Sequence, residues 1–251
     1  MLVVKLSGKA LNDEQALSAL FEQIKSQGQQ CIVVHGGGVE VDHILGALNF
    51  TTVKKDGIRV SPAEQMPYIA GTLAGQCNKI LQGCAIKSGL NALGMLCTDF
   101  NMCAVKPYPE EYGSVAGVTG EDTATVSMLL DRGFTPVVCS IGLDKQGQLF
   151  NINADEVAAC LAVAFAAPLV FFSDVAGVLD KNGQLIENID TATVEQLVAD
   201  GTIKDGMAVK VRNALDVAHK SNAPVFIASI FDEQARSNLS KLRRIGTTLS
   251  A

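Results

Sequence analysis

The order of apolar runs and glycines in the first fifty residues most narrows what this chain can fold into. Leu2-Val3-Val4 is a short apolar, strand-forming run, and Lys5-Leu6-Ser7-Gly8 opens it into a loop. From Asp13 to about Gln27, Ala16, Leu17, Leu20 and Ile24 recur at helical spacing, and Gly28 ends the helix. Cys31-Ile32-Val33-Val34 is a second buried strand that runs into His35-Gly36-Gly37-Gly38, and a helix follows to about Leu48. Strand, helix, strand, glycine loop, helix is the order of a parallel sheet covered by helices. Ligands of such sheets bind at the carboxyl ends of the strands. Lys5 stands at one such end beside a glycine turn, where backbone N–H groups and an ammonium can meet an anion. Read alone, it is equally well a lysine ending a strand in solvent.

The rest of the chain continues the pattern. Lys55-Asp56-Gly57 predicts a hairpin, and a long helix is expected from Pro62 to about Lys87, with Pro67 a candidate kink. Ala70-Gly71 and Ala74-Gly75 suggest close helix packing, against a second subunit. Residues 92–118 read as small strands and hairpins. Helices near 121–132, 154–166, 193–200 and 207–221 alternate with strands near 136–140, 150–153, 169–172, 224–228 and 247–249. The expected fold is a single α/β domain, 1–251. It is an αβα sandwich on a mainly parallel, open central sheet, with two lobes at about 1–166 and 167–251.

Composition bounds the partners. A net charge of −6 argues against nucleic acid, while leaving room for a local cationic pocket. Seven scattered cysteines without a C-x-x-C pair read as reduced thiols in a cytoplasmic protein. Three histidines in no ligand spacing predict no metal site held by the protein. The longest apolar run, 157–172, is too short for a bilayer and contains Pro168, so no membrane segment is expected.

Four further stretches carry chemistry. The three glycines 36–38 remove every Cβ where an anion would touch the backbone, although neither the Walker A nor the G-x-G-x-x-G spacing is present. A tight turn is the alternative. Asn151-Ile152-Asn153-Ala154-Asp155 places two amides on one side of the chain and a carboxylate at a helix start; capping accounts for one of the three. Lys210 lies one turn into a helix that begins after Gly206, and Ser173-Asp174-Val175-Ala176-Gly177-Val178 leaves a strand end through small residues. A solvated lysine and a plain turn are their ordinary explanations.

Taken in order, KLSG, HGGG, DGIRVSPAE, NINAD, SDVAGVLD and DGMAVKV resemble the amino acid kinase family, from Leu2 to the terminal GTTL, and within it the branch that phosphorylates N-acetyl-L-glutamate. The resemblance implies transfer of the γ-phosphoryl of Mg-ATP to the side-chain carboxylate of that substrate, in arginine biosynthesis. It implies that Lys5 and Lys210 flank the moving phosphoryl, with Asp155 holding both. Gly8, Gly36 and Gly37 would donate backbone N–H groups, Arg59 would pair with the α-carboxylate, and Asn151 and Asn153 would hold the substrate nearby. Ser173, Asp174, Val175, Ala176, Gly177, Val178 and Leu179, with Thr202, Ile203 and Lys204, would line the ATP site. The first lobe would then bind acetylglutamate and dimerise, and the second would bind ATP. Mg²⁺ would arrive on the nucleotide.

KLSG departs from the KLGG usual in that branch and is closer to uridylate kinases, whereas NINAD and IRVSPAE fit the acetylglutamate branch. The chain starts at the first strand, without the extra helix of arginine-inhibited hexameric relatives, so a homodimer insensitive to arginine is expected. Other acceptors on the same fold are carrier-bound aminoadipate, uridylate, aspartate and carbamate. A non-catalytic ligand sensor is the remaining alternative, and the presence of Lys5, Asp155 and Lys210 argues against it.

Overall fold

The computed structural model describes residues 1–55 and 57–250; of Gly8, Lys9, Asp205 and Gly206 it gives the backbone element only. Strand β1 (Leu2–Leu6) leads into helix α1 (Glu14–Ser26), whose cap Asp13 accepts a hydrogen bond from the Ala16 N–H at 2.8 Å. Strand β2 (Cys31–His35) passes through the glycines into α2 (Gly38–Ala47). A short hairpin of β3 (Lys54–Lys55) and β4 (Ile58–Arg59) precedes the long helical rod, which comprises α3 (Met66–Ala70), a π-helical stretch Gly71–Cys77 and α4 (Asn78–Lys87). Pro67 sits in the first turn of α3, where its missing N–H is harmless. The rod's irregularity is therefore the π-helical stretch rather than a proline kink.

Strands β5 (Asn91–Leu96), β6 (Cys103–Pro107) and β7 (Val115–Gly120) follow, then α5 (Ala124–Asp131), β8 (Phe134–Cys139), β9 (Ile141–Leu143) and β10 (Leu149–Ile152). The remainder is α6 (Ala154–Ala164), β11 (Leu169–Ser173), β12 (Asn188–Ile189), α7 (Thr191–Ala199), α8 (Asp205–Ser221), β13 (Val225–Ser229), α9 (Glu233–Ser237) and β14 (Thr247–Leu249). Eight strands form the main sheet in the order β12-β14-β13-β11-β1-β2-β8-β5, parallel except at β13–β14. A second sheet, β6-β7-β10-β9, hands the chain directly to α6.

Alternation along the central strands explains the layers. Val3, Ile32, Val34 and Val138 join Val157 and Leu161 of α6 and Val211 and Leu215 of α8 in one cluster. Leu2, Val4, Leu6, Val33 and Phe172 join Leu17, Leu20, Phe21 and Ile24 of α1 and Leu81 of α4 in another. Burying each such side chain contributes about 1.5–3 kcal/mol, so a strand buried on both faces is strongly held in the middle of the sheet. That strand is β1. Lys5 sits near its end, in register with Val34 on one side and Phe171 on the other. A Cβ at Gly71 or Gly75 would meet nothing within 4 Å, so the close packing expected there has no counterpart within this chain.

Candidate active site

Three side chains from distant parts of the chain converge at the carboxyl end of β1. Asn153 caps α6 by accepting a hydrogen bond from the Asp155 N–H at 2.8 Å, which places Asp155 in the helix's first turn. The Lys5 Nζ lies 2.7 Å from Asp155 Oδ1, with the lysine side chain only 13% exposed and the aspartate 42%. Asp155 Oδ1 takes no aligned hydrogen bond among the described residues, so charge rather than directionality holds this contact. Lys210, near the start of α8, is half-buried, with its Nζ 5.5 Å from the centre of the Phe171 ring. Burial pushes its pKa below the usual lysine range; Asp155 opposes that shift, Lys5 adds to it, and Asp174 opposes it. Asp155 thus pairs directly with Lys5 and acts through its charge on Lys210 in the same cleft, a charge arrangement suited to a polyanion.

Two clefts open beside this trio. One, of about 280 Å³, is lined by Lys5, Gly36, Gly37, Arg59, Asn151 and Asn153, among others. The other, of about 480 Å³, is lined by Asn153, Asp155, Phe171, Lys210 and Asn213, among others. Asn153 borders both. At Gly37 a Cβ would come within 2.8 Å of Leu73 Cδ2 and 2.9 Å of Cys77 Sγ, so the π-helical stretch presses the bare backbone against the smaller cleft. Helix α2 begins there, and its N-terminal end favours an anion.

Arg59 is engaged from behind. Its Nη1 donates to Asp42 Oδ1 at 2.6 Å and to Thr52 Oγ1 at 3.3 Å, and its Nη2 donates to the Gly38 carbonyl at 3.1 Å. Among the described residues these contacts take three of five guanidinium hydrogens, leaving a side for a carboxylate. Asn151 donates through Nδ2 to Ser61 Oγ at 3.0 Å, and Ser61 donates to the Arg59 carbonyl at 3.1 Å, tying the amide to the hairpin.

The segments expected to hold ATP stand differently. Ser173 ends β11 beside β1, and its Oγ accepts a hydrogen bond from the Val175 N–H at 3.3 Å. Val178 is 1% exposed and Ile203 2%, both within the core, so nothing but their backbones can face a nucleotide. The Val178 N–H is itself donated to Thr247 Oγ1 at 2.8 Å. Thr202 turns its N–H and hydroxyl to Asp200 Oδ1. Val175, Leu179 and Lys204 are exposed, but neither cleft at the lysines is lined by 173–179 or 202–204. The expectation for the Gly8 N–H lies outside the described residues.

Sequence reasoning missed several neighbours. Asp42 is an ordinary-looking acid on α2, and its tie to Arg59 exists only once the hairpin folds over that helix. Tyr108 donates to Glu156 Oε1 at 2.9 Å beside the larger cleft, and burial lifts the Glu156 pKa. His35 and Asn78 form a buried pair under the glycine loop, which no spacing announced.

This arrangement can be set against known proteins. Residues 1–229 match the model of the amino acid kinase family. The chain belongs to that family. It is 45% identical over 232 residues to the acetylglutamate kinase of Vibrio cholerae serotype O1 (strain O395), covering 91% of this chain and 88% of the relative. It is 41% identical over 252 residues to the acetylglutamate kinase of Shewanella amazonensis, covering 99% and 96%. Among solved structures, the smu.665 protein of Streptococcus mutans UA159 superposes with a TM-score of 0.83 at 28% identity, over 100% of this chain and 98% of that one.

Proposed function

We propose that this chain transfers the γ-phosphoryl of ATP to the side-chain carboxylate of N-acetyl-L-glutamate, yielding an acyl phosphate and ADP. The observation that carries the reading is the ion pair of Lys5 with Asp155, and Lys210 lining the same cleft as that carboxylate, where two clefts meet. The smaller cleft, with Arg59, Asn151 and the glycine loop, offers a carboxylate-binding fork and amide donors; we assign it the acetylated amino acid. The side of Lys210 faces the nucleotide. Relatives named acetylglutamate kinase support the choice of acceptor.

The chemistry asks for this equipment. A side-chain carboxylate is ionised at neutral pH and needs no general base. What it needs is to be brought in line with a polyphosphate against charge repulsion, which is positioning and electrostatic work. Lys5 would meet the phosphoryl from the acceptor side and Lys210 from the donor side, with Asp155 fixing both ammonium groups. The backbone N–H groups of Gly8, Gly36 and Gly37 would take up charge on its oxygens. Arg59 would fork onto the α-carboxylate, while Asn151 and Asn153 would orient the acetylated chain. The 173–179 and 202–204 segments would offer backbone groups and exposed side chains to ATP, whose phosphates carry Mg²⁺. That ion supplies further neutralisation when bound.

The same reading makes residues 1–166 the acceptor lobe and 167–251 the nucleotide lobe of a cytoplasmic enzyme. It also makes the protein a homodimer, for which the exposed Ile80 and Ile86 on α4 speak. A coupled ADP-release assay with N-acetyl-L-glutamate, aspartate, carbamate and UMP tests the acceptor. Turnover with N-acetyl-L-glutamate at least tenfold above the others is expected, and absence of turnover with it would sink the proposal.

A further inference from the structure

Beneath the glycine loop runs a chain of hydrogen bonds from β8, one strand in from the sheet's edge, to the cleft. The Asn78 amide donates to the Val137 carbonyl of β8 at 2.8 Å. A carbonyl only accepts, so this contact fixes which end of the amide is nitrogen. The second Nδ2 hydrogen then points at His35 Nε2, 3.0 Å away, which must accept. The other ring nitrogen, Nδ1, lies 2.7 Å from the Gly36 carbonyl and must donate. His35 is therefore a neutral imidazole of a single tautomer, fully buried. Burial pushes its pKa down to about 4, so it stays neutral at working pH.

The geometry of the peptide bond carries the consequence. In a trans peptide the C=O of one residue and the N–H of the next point in opposite directions, and the described residues contain no cis bond. The Gly36 carbonyl is drawn inward onto the imidazole, so the Gly37 N–H on the same plane is turned outward. Gly36, Gly37 and Gly38 line the smaller cleft. The Gly37 carbonyl is occupied by the Val41 N–H at 2.9 Å, and its N–H has no protein acceptor among the described residues. Without a side chain at either glycine, the Gly36–Gly37 peptide is held from the inner side by the hydrogen bond to His35 and the Leu73–Cys77 floor, while the Val41 N–H holds the next carbonyl.

We propose that His35, locked by Asn78, is a positioning residue that clamps the Gly36–Gly37 peptide so that the Gly37 N–H is aimed at the oxygens of the transferring phosphoryl group. The proposal rests on the kinase reading above for the identity of what the N–H meets. It assigns no proton transfer to the imidazole.

The test uses the full chain and three substitutions. In His35→Asn the amide nitrogen falls near the place of Nδ1 and keeps the donor to Gly36; in His35→Gln the amide falls nearer the place of Nε2; in His35→Phe both bonds vanish. With ATP and N-acetyl-L-glutamate, His35→Asn should keep kcat within about fivefold of the parent. The other two should lose about tenfold to a hundredfold, the scale of one misaimed oxyanion donor, with KM for ATP changing little. Equal kcat in all three, or His35→Asn no better than His35→Phe at similar melting temperature, would overturn the proposal. A parent inactive towards N-acetyl-L-glutamate would defeat the kinase reading instead. The clamp is then read directly from the Gly37 amide resonance, which should move in His35→Phe and stay in His35→Asn. An unmoved resonance in His35→Phe refutes the clamp whatever the substrate.

Discussion

Replacing Asp155 by Asn isolates what the shared carboxylate does, because the side chain keeps its shape and the first turn of α6 keeps its cap from Asn153. A unit-charge pair at the 2.7 Å separation of Lys5 and Asp155 is worth about 6 kcal/mol at an effective dielectric near 20. The net effect is smaller. Asp155 is 42% exposed and water screens it, while Lys5 at 13% exposure is left desolvated without its partner. The loss should fall between a surface pair and a broken buried one, at about 1–2 kcal/mol, lowering the melting temperature by about 2–8 °C for a chain of this size. Lys5 then loses its ion-pair partner and Lys210 keeps only the charge of Asp174 against it, so saturating ATP, whose phosphates supply negative charge, should narrow the gap in melting temperature. Turnover should drop about a hundredfold, as both lysines lose their anchor. Differential scanning fluorimetry with and without ATP, alongside steady-state kinetics, reads both effects. A variant with the parent's melting temperature and kcat within twofold would refute the anchoring argument.

Other perturbations follow from the same geometry. Because the Lys210 pKa lies below its ordinary value, the unfolded chain binds more protons between the lowered pKa and the ordinary 10.5; stability should therefore rise with pH through that window while activity, which needs the cation, falls. Parallel melting and rate profiles check the opposed slopes, and Lys210→Met should abolish both trends. Gly37→Ala drives a methyl to 2.8 Å from Leu73 and 2.9 Å from Cys77, so chemical denaturation should show a loss of about 1–3 kcal/mol. Asp42→Asn frees the Arg59 fork from its rear support. KM for N-acetyl-L-glutamate should rise about tenfold with kcat little changed, as measured in the coupled assay.

Much of the scaffold was legible in advance because apolar runs of three to four residues, each bounded on one side by a glycine or a proline turn, are what a parallel sheet buried on both faces requires. The placement of β1, β2, β11 and β13 follows from that alone. Strands β9 and β12 were missed, being three and two residues long and defined by their neighbours more than by their own residues. In the site, Lys5, Asp155 and Lys210 were visible as members of an ordered motif set, and the structure brings them together. Arg59 was visible, but its pairing with Asp42 was not, since it depends on how the β3–β4 hairpin lies over α2. Val178 and Ile203 show the opposite limit. They sit in motifs expected to line ATP, yet their side chains fill the core, because a motif reports which stretch of chain is involved and not which way each residue turns.

The wiring of the central strand has a consequence for biosynthesis on the ribosome. β1 is made before its neighbours, yet one of the two, β11, starts at residue 169, and Lys5 and Lys210 stand 205 residues apart in the chain. An emerging polypeptide can pair β1 with β2 early, but its other edge stays bare until Leu169–Ser173 has left the exit tunnel. That long-range closure makes the final assembly slow and leaves an apolar edge waiting for its partner. Anything that shields the amino-terminal strand in that interval, including a chaperone or a slower pace of synthesis, should raise the yield of the finished enzyme without touching a single residue of its site.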